Sequence, residues 1–253
     1  MCFSAPASFI SSAVLSAAGI ATLWRAHGRR QLPLACVPLI FAVQQFSEGW
    51  IWVGLLSGHA TAYLTPATYS FLIFAQVVWP TWVPLSFLIM ADGGRNRIAL
   101  KILTGIGMLV SLYLGICLAH YGTFAEAHTR HVVYNLHYPR HITVIAGALY
   151  GAATIIPPFV SGIRHAWILG LAILTSYVIT SILYEAEIIS VWCYFSALMS
   201  VIIYGLVHHE HARNLDPGHA KPFWSFLHSW PLPHGGSRLA DAQRTDAVAP
   251  EPR

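Results

Sequence analysis

Charge is scarce in this sequence: Asp, Glu, Lys and Arg make up 9% of the 253 residues, against about 25% in an ordinary soluble domain. From Leu32 to Ala91 there is no Lys or Arg, and Glu48 is the only acid. Lysine is confined to Lys101 and Lys221, neither placed near mid-membrane, which excludes a retinal Schiff base. Cysteine is sparse too. Cys2, Cys36, Cys117 and Cys193 lie far apart, in or beside apolar segments, which excludes a disulfide scaffold and a paired-cysteine zinc module. Met1 to Ser8 lacks the basic start of a cleavable signal, and the first apolar run ends at Arg25, Arg29 and Arg30, so that run is expected to be a retained helix. Leu34-Ala35-Cys36 lacks the charged leader of a lipoprotein signal, and Pro33 stands where a bulky aliphatic is usual.

What is abundant is apolar surface, with 56% hydrophobic and 13% aromatic residues. Runs long enough to cross about 30 Å of hydrocarbon extend over Phe3 to Trp24, Leu32 to Leu56, Pro66 to Ala91 and Leu100 to Tyr121. Ile142 to Ser161, Ala166 to Tyr184 and Ile188 to His208 follow. These runs predict an all-α, polytopic membrane bundle of about seven transmembrane helices.

The basic residues sit in the short connections. Arg25, Arg29 and Arg30, then Arg95, Arg97 and Lys101, then Arg164 follow the first, third and fifth spans, while the opposite side carries Arg130 and Arg140. The positive-inside bias therefore predicts the N-terminus out and the C-terminus in. It also accounts for the formal charge of +4 and the pI near 9.0 without a nucleic-acid partner. The partner implied is the lipid bilayer, with a bacterial inner membrane as the expected location; nothing in the sequence specifies a protein partner. Residues 1–211 read as the membrane domain, and 212–253 as a largely disordered cytoplasmic tail rich in Pro, His, Gly and Arg. Within that tail Phe223, Trp224, Phe226, Leu227 and Trp230 suit a membrane interface. The Pro-broken segments around Pro80 with Pro84 and around Pro157 with Pro158 fit transporter helices or ordinary kinked bundles.

A polar side chain at lipid depth must face a partner helix or water. Ser4, Ser8, Ser12 and Ser16 form a small-residue seam on the first helix, where packing is the plain explanation. On the second span Gln44, Gln45 and Glu48 form one patch at helical spacing. An intramembrane carboxyl is functional by default, and a protonated acid bonded to Gln is the alternative. Gln76 and Trp79 on the third span, Trp192 and Cys193 at the start of the seventh, Cys2, and Glu185 and Glu187 in the turn before the seventh converge on the same outer half.

His120 ends the fourth span, and the loop Gly122 to His141 adds His128, His131, His137 and His141, without the spacing of a known metal module. His208, His209 and His211 form a second cluster at the inner end. Trp192, Ser196, Ser200, Tyr204 and His208 recur every fourth residue down the seventh helix, as a proton or water path or as polar contacts between helices.

With these residues in view, the chain resembles a bacterial family of multi-pass membrane proteins of unknown function that opens Met-Cys-Phe-Ser-Ala. The matching pieces are Met1-Cys2-Phe3-Ser4-Ala5, Gln44-Gln45 with Glu48-Gly49, AQVVWPTWVP from Ala75 to Pro84, and SVWCYF from Ser190 to Phe195. The resemblance implies that these four pieces belong to one unit, and implies no reaction or ligand.

Three functional expectations follow. In the first, the chain is a metal- or cofactor-binding membrane enzyme or redox protein. Cys2, Glu48, His120 and Cys193 would ligate zinc or copper, Glu48, Gln44, Gln45 and Gln76 would act chemically, and Trp79, Trp192, Glu185 and Glu187 would hold a cofactor. A narrower form pairs Cys2 with Cys193 in an outer disulfide. The second expectation is a proton-coupled transporter or sensor in which Glu48 titrates. The third is a non-catalytic subunit or assembly factor, which predicts no cavity. Hydrolysis of the ceramidase type needs several intramembrane histidines, and His120 and His208 fall at opposite faces, so it stays subsidiary.

Overall fold

A computed structural model of the chain describes residues 4–26, 28–57, 62–91, 93, 95–128, 131–183 and 195–215. These residues form seven helices and one β-hairpin, and five of the helices are long and apolar enough to cross a membrane. The chain is thus an integral, multi-pass membrane protein whose exposed apolar belt contacts lipid.

Helix α1 (Ala5–Arg25) starts at Ser4, whose hydroxyl accepts from the Ala7 amide, with Pro6 in the first turn where its missing N–H costs nothing. It packs along α2 (Leu32–Leu56): of the expected small-residue seam Ser8 and Ser12 are buried and Ser4 and Ser16 half-buried, Gly19 is buried further along, and the Ser12 hydroxyl donates to the Ala42 carbonyl at 2.8 Å. A Cβ at Gly19 or Gly49 would overlap Leu39 or Phe9, so these glycines set how closely the two helices approach.

Helix α3 (Leu64–Met90) holds a π-helical segment at Ile73–Val78, followed by Trp79 and Pro80. The Trp79 amide reaches back five residues to the Phe74 carbonyl, and Pro80 has no N–H to offer the next one. Neighbouring helices satisfy the carbonyls of this segment: Tyr150 donates to Ala75 at 2.7 Å and Ser111 to Val77 at 2.6 Å. Helix α4 (Arg95–His120) comes close because a Cβ at Gly107 would overlap the Pro80 carbonyl oxygen.

Strands β1 (Thr123–His128) and β2 (His131–Leu136) form an antiparallel hairpin where an irregular loop was expected. Ala125, Val132 and Tyr134 point inward and share a core with Ile51, Trp52, Phe71 and Leu118, with Tyr134 stacked on Phe71 at 4.9 Å. The hairpin therefore caps the bundle end at which α2 finishes and α3 begins. Helices α5 (Arg140–Val160), α6 (Ala166–Leu183) and α7 (Ser196–Leu215) complete the ring, with α7 packed against α1, α2 and α6. The expected seventh span began at Ile188; residues 184–194 lie outside the described residues, and the described helix starts at Ser196.

Candidate functional site: a chamber inside the helix ring

The polar patch on α2 is buried completely: Gln44 is 1% exposed, and Gln45 and Glu48 are 0%. Gln45 Nε2 donates to Glu48 Oε2 at 3.2 Å, so the carboxyl has polar company on its own helix and does not face acyl chains. One turn back, Gln44 Oε1 accepts from the indole N–H of Trp79 on α3 at 2.9 Å. That bond joins two of the pieces singled out in the sequence. Phe41 lies against the same indole, with ring centroids 4.3 Å apart.

Gln76 and Trp79 face inward from the π segment and the turn after it, in step with Val83 and Phe87. Together with Leu34, Val37, Phe41 and Gln44 of α2 they line a chamber of about 370 Å³ within the ring. The opposite wall comes from Gly147, Tyr150 and Thr154 of α5, Leu169, Ile173 and Tyr177 of α6, and Met199 and Ile203 of α7. Leu136 and Tyr138 close the hairpin end. The walls are mainly apolar; Gln44, Gln76, Trp79 and Tyr138 gather where α2, α3 and the end of the hairpin meet, and Thr143, Tyr150, Thr154 and Tyr177 add hydroxyls on the α5 and α6 side, a composition usual for an organic-ligand site.

Tyr138 was not anticipated. It follows the hairpin, and its hydroxyl donates to Gln76 Oε1 at 2.9 Å. Burial, with a smaller contribution from the nearby Cys117, pushes its phenol up to about 12, so it stays a hydrogen-bond donor throughout the physiological range. The available signal was position alone: Tyr138 and Pro139 stand directly before the fifth apolar run, where the chain must re-enter the bundle. Glu48 and Gln45 do not line the chamber: Gln45 is the residue after Gln44, and Glu48 stands one turn beyond it.

The expected metal set is not assembled among the described residues, which contain no group of three His, Cys, Asp or Glu able to hold an ion. Glu48 is wholly buried, whereas His120 is exposed at the end of α4 against Tyr121. Cys2, Trp192, Cys193, Glu185 and Glu187 lie outside the described residues, as does the aromatic tail segment. Of the loop histidines, His131 is mostly buried and His137 and His141 are exposed, with the His137 ring against the Gly122 carbonyl. On α7, Ser196, Ser200 and Tyr204 turn inward, but the Ser200 hydroxyl donates to the Ser196 carbonyl of its own helix. At the far end His165 and His209 meet edge to face at 4.8 Å.

A model described as a family of unknown function (DUF6629) matches residues 1–217. The chain belongs to this family. The match takes in every described helix and the hairpin, so the chamber is built wholly from family sequence. No curated protein and no solved structure matches the chain.

Proposed function

We propose that this protein holds an apolar organic ligand or cofactor inside its helix ring, with Gln44, Gln76, Trp79 and Tyr138 as the polar end of the site. The observation that carries the reading is the chamber itself: about 370 Å³, within the range of small-molecule sites, mainly apolar, and with the Gln44–Trp79 and Gln76–Tyr138 pairs side by side in its wall. Gln45 and Glu48 form the buried polar layer behind that end and hold its geometry. Cys2, Trp192, Cys193, Glu185 and Glu187 belong to the same outer region in this proposal. The cofactor reading thereby moves from a zinc or copper ion toward an organic molecule. A non-catalytic subunit predicted no cavity, and a titrating route through Glu48 finds no support in a chamber whose lining omits it.

The proposed setting is a bacterial inner membrane, crossed about seven times, with the N-terminus and hairpin outside and the C-terminus inside. Arg25, Arg29, Arg30, Arg97 and Arg164 fall at one end of the ring, opposite the hairpin, in support of that orientation. Residues 1–211 form the membrane domain in this reading, and 212–253, whose first residues continue α7, the cytoplasmic tail.

Purified protein in a mild detergent tests the site. Apolar compounds of chamber size should raise its Tm saturably, and Thr154→Trp, which fills the chamber from α5, should abolish that response while the variant still unfolds cooperatively. If no compound in a chemically broad panel gives a saturable shift with wild type, the chamber does not bind ligands and the proposal fails.

A further inference from the structure

We infer that the chamber is filled sideways from the bilayer, through a portal between α5 and α6, and that its ligand is a membrane-dissolved molecule ending in a carbonyl acceptor. The inference rests on the ligand-chamber reading and adds a route and a chemical class.

The route comes from residues that belong to two surfaces at once. Gly147 on α5 and Tyr177 on α6 line the chamber, yet Gly147 is exposed and Tyr177 is 38% exposed. Towards the other end the same two helices are tightly joined, because a Cβ at Gly170 would overlap the Phe159 ring. Tyr177 lies about 10 Å along α6 from that junction and Gly147 about 18 Å along α5, at ~1.5 Å per residue, so both exposed lining residues stand well away from the close contact. The flanks of the opening are Val144, Ile145, Val178 and Ile179, all exposed apolar residues on the belt that faces lipid. A ligand arriving there comes from acyl chains and not from water. Gly147 itself leaves the gap free: a Cβ at this position meets nothing within 4 Å.

The class comes from the polar end. Trp79 can only donate, so Gln44 must turn its oxygen to the indole. Gln76 has its oxygen engaged by the Tyr138 hydroxyl, and its amide N–H groups carry no hydrogen bond among the described residues. What Gln76 offers the chamber is therefore an unused donor, which a carbonyl oxygen satisfies in full, whereas a hydroxyl or amine that accepts from it brings an O–H or N–H of its own that needs a further acceptor. An apolar body with one carbonyl end satisfies both the walls and this group.

Proteoliposomes with decyl-benzoquinone dissolved in the bilayer provide the test, read by stopped-flow quenching of tryptophan fluorescence, with decylbenzene measured as a competitor. Wild type should bind the quinone saturably and on the order of tenfold more tightly than decylbenzene, the equivalent of one good hydrogen bond. Gly147→Leu should slow association by about tenfold or more, since it adds bulk only at the opening. Gln76→Leu should lower quinone affinity to that of decylbenzene measured on the same variant. Absence of saturable quenching in wild type overturns the chamber reading as a whole. Wild-type binding with an unchanged association rate in Gly147→Leu overturns the portal alone, and equal affinity for both compounds overturns the carbonyl class alone.

Discussion

The Trp79 indole and the Gln44 amide, 2.9 Å apart, join α2 to α3 at the edge of the chamber and fix which way the amide points. Gln44→Leu removes the acceptor and leaves a buried N–H without one, for a loss of about 1–2 kcal/mol in stability and a lower Tm in detergent. Trp79→Phe removes the donor and most of the indole's packing, so it should cost at least as much. The double variant should lose less than the sum of the two, because the bond is lost only once. Strict additivity in that cycle would show that the contact contributes nothing.

The packing of α3 beside α4 at Pro80 depends on a glycine in α4. Gly107→Ala places a methyl group on the Pro80 carbonyl, forces α3 and α4 apart, and should destabilise the protein by about 1–3 kcal/mol. Gly105, two residues earlier on α4, has open space around its Cβ position, so Gly105→Ala should be neutral or raise stability by up to ~1 kcal/mol through helix propensity alone. The informative quantity is the difference in Tm between the two variants; equal shifts would mean that the close approach to Pro80 is not a constraint.

Much of this architecture was legible because lipid punishes polar side chains. Gln44, Gln45, Glu48, Gln76 and Trp79 stand out against otherwise apolar runs, and all five are buried. The apolar runs likewise located the helices, with α2 found over Leu32 to Leu56 as expected. The chamber was not legible. Its far wall is made by Gly147, Tyr150, Thr154 and Tyr177, residue types that also occur on lipid-facing and packing surfaces, and whether a small residue borders a void depends on neighbours distant in sequence. The hairpin was hidden by its histidines, which invited a metal reading of the loop. Val132 and Tyr134, alternating on one face of β2, were the pattern that would have found it.

Glu48 and Gln45 hold each other within one helix, 3.2 Å apart and fully buried. Glu48→Gln keeps a carbonyl oxygen for the Gln45 amide, so its Tm should stay close to wild type. Glu48→Leu leaves that amide facing an apolar side chain and should cost about 1–3 kcal/mol. Ligand binding provides the second readout. Because Glu48 stands behind the chamber wall, Glu48→Gln should leave the affinity for decyl-benzoquinone within about twofold, a change of under ~0.5 kcal/mol. A large affinity loss at unchanged Tm would place the carboxyl in contact with the ligand.

Tyr138 gives the chamber a pH signature that lies far from neutrality. Its phenol titrates near 12 in the folded protein instead of at its ordinary 10, chiefly because burial disfavours the phenolate. Between those two values the folded protein holds a proton that the unfolded chain releases, so stability from this group is complete below pH 10 and is lost as pH rises through about 12. Tyrosinate absorbance of wild type and Tyr138→Phe should therefore coincide up to about pH 11 and separate only above it. The Tyr138 to Gln76 bond should accordingly keep quinone affinity flat from about pH 6 to pH 10. Separation of the two absorbance curves already at pH 10 would mean that the phenol is wet, and the hairpin end of the chamber open to water.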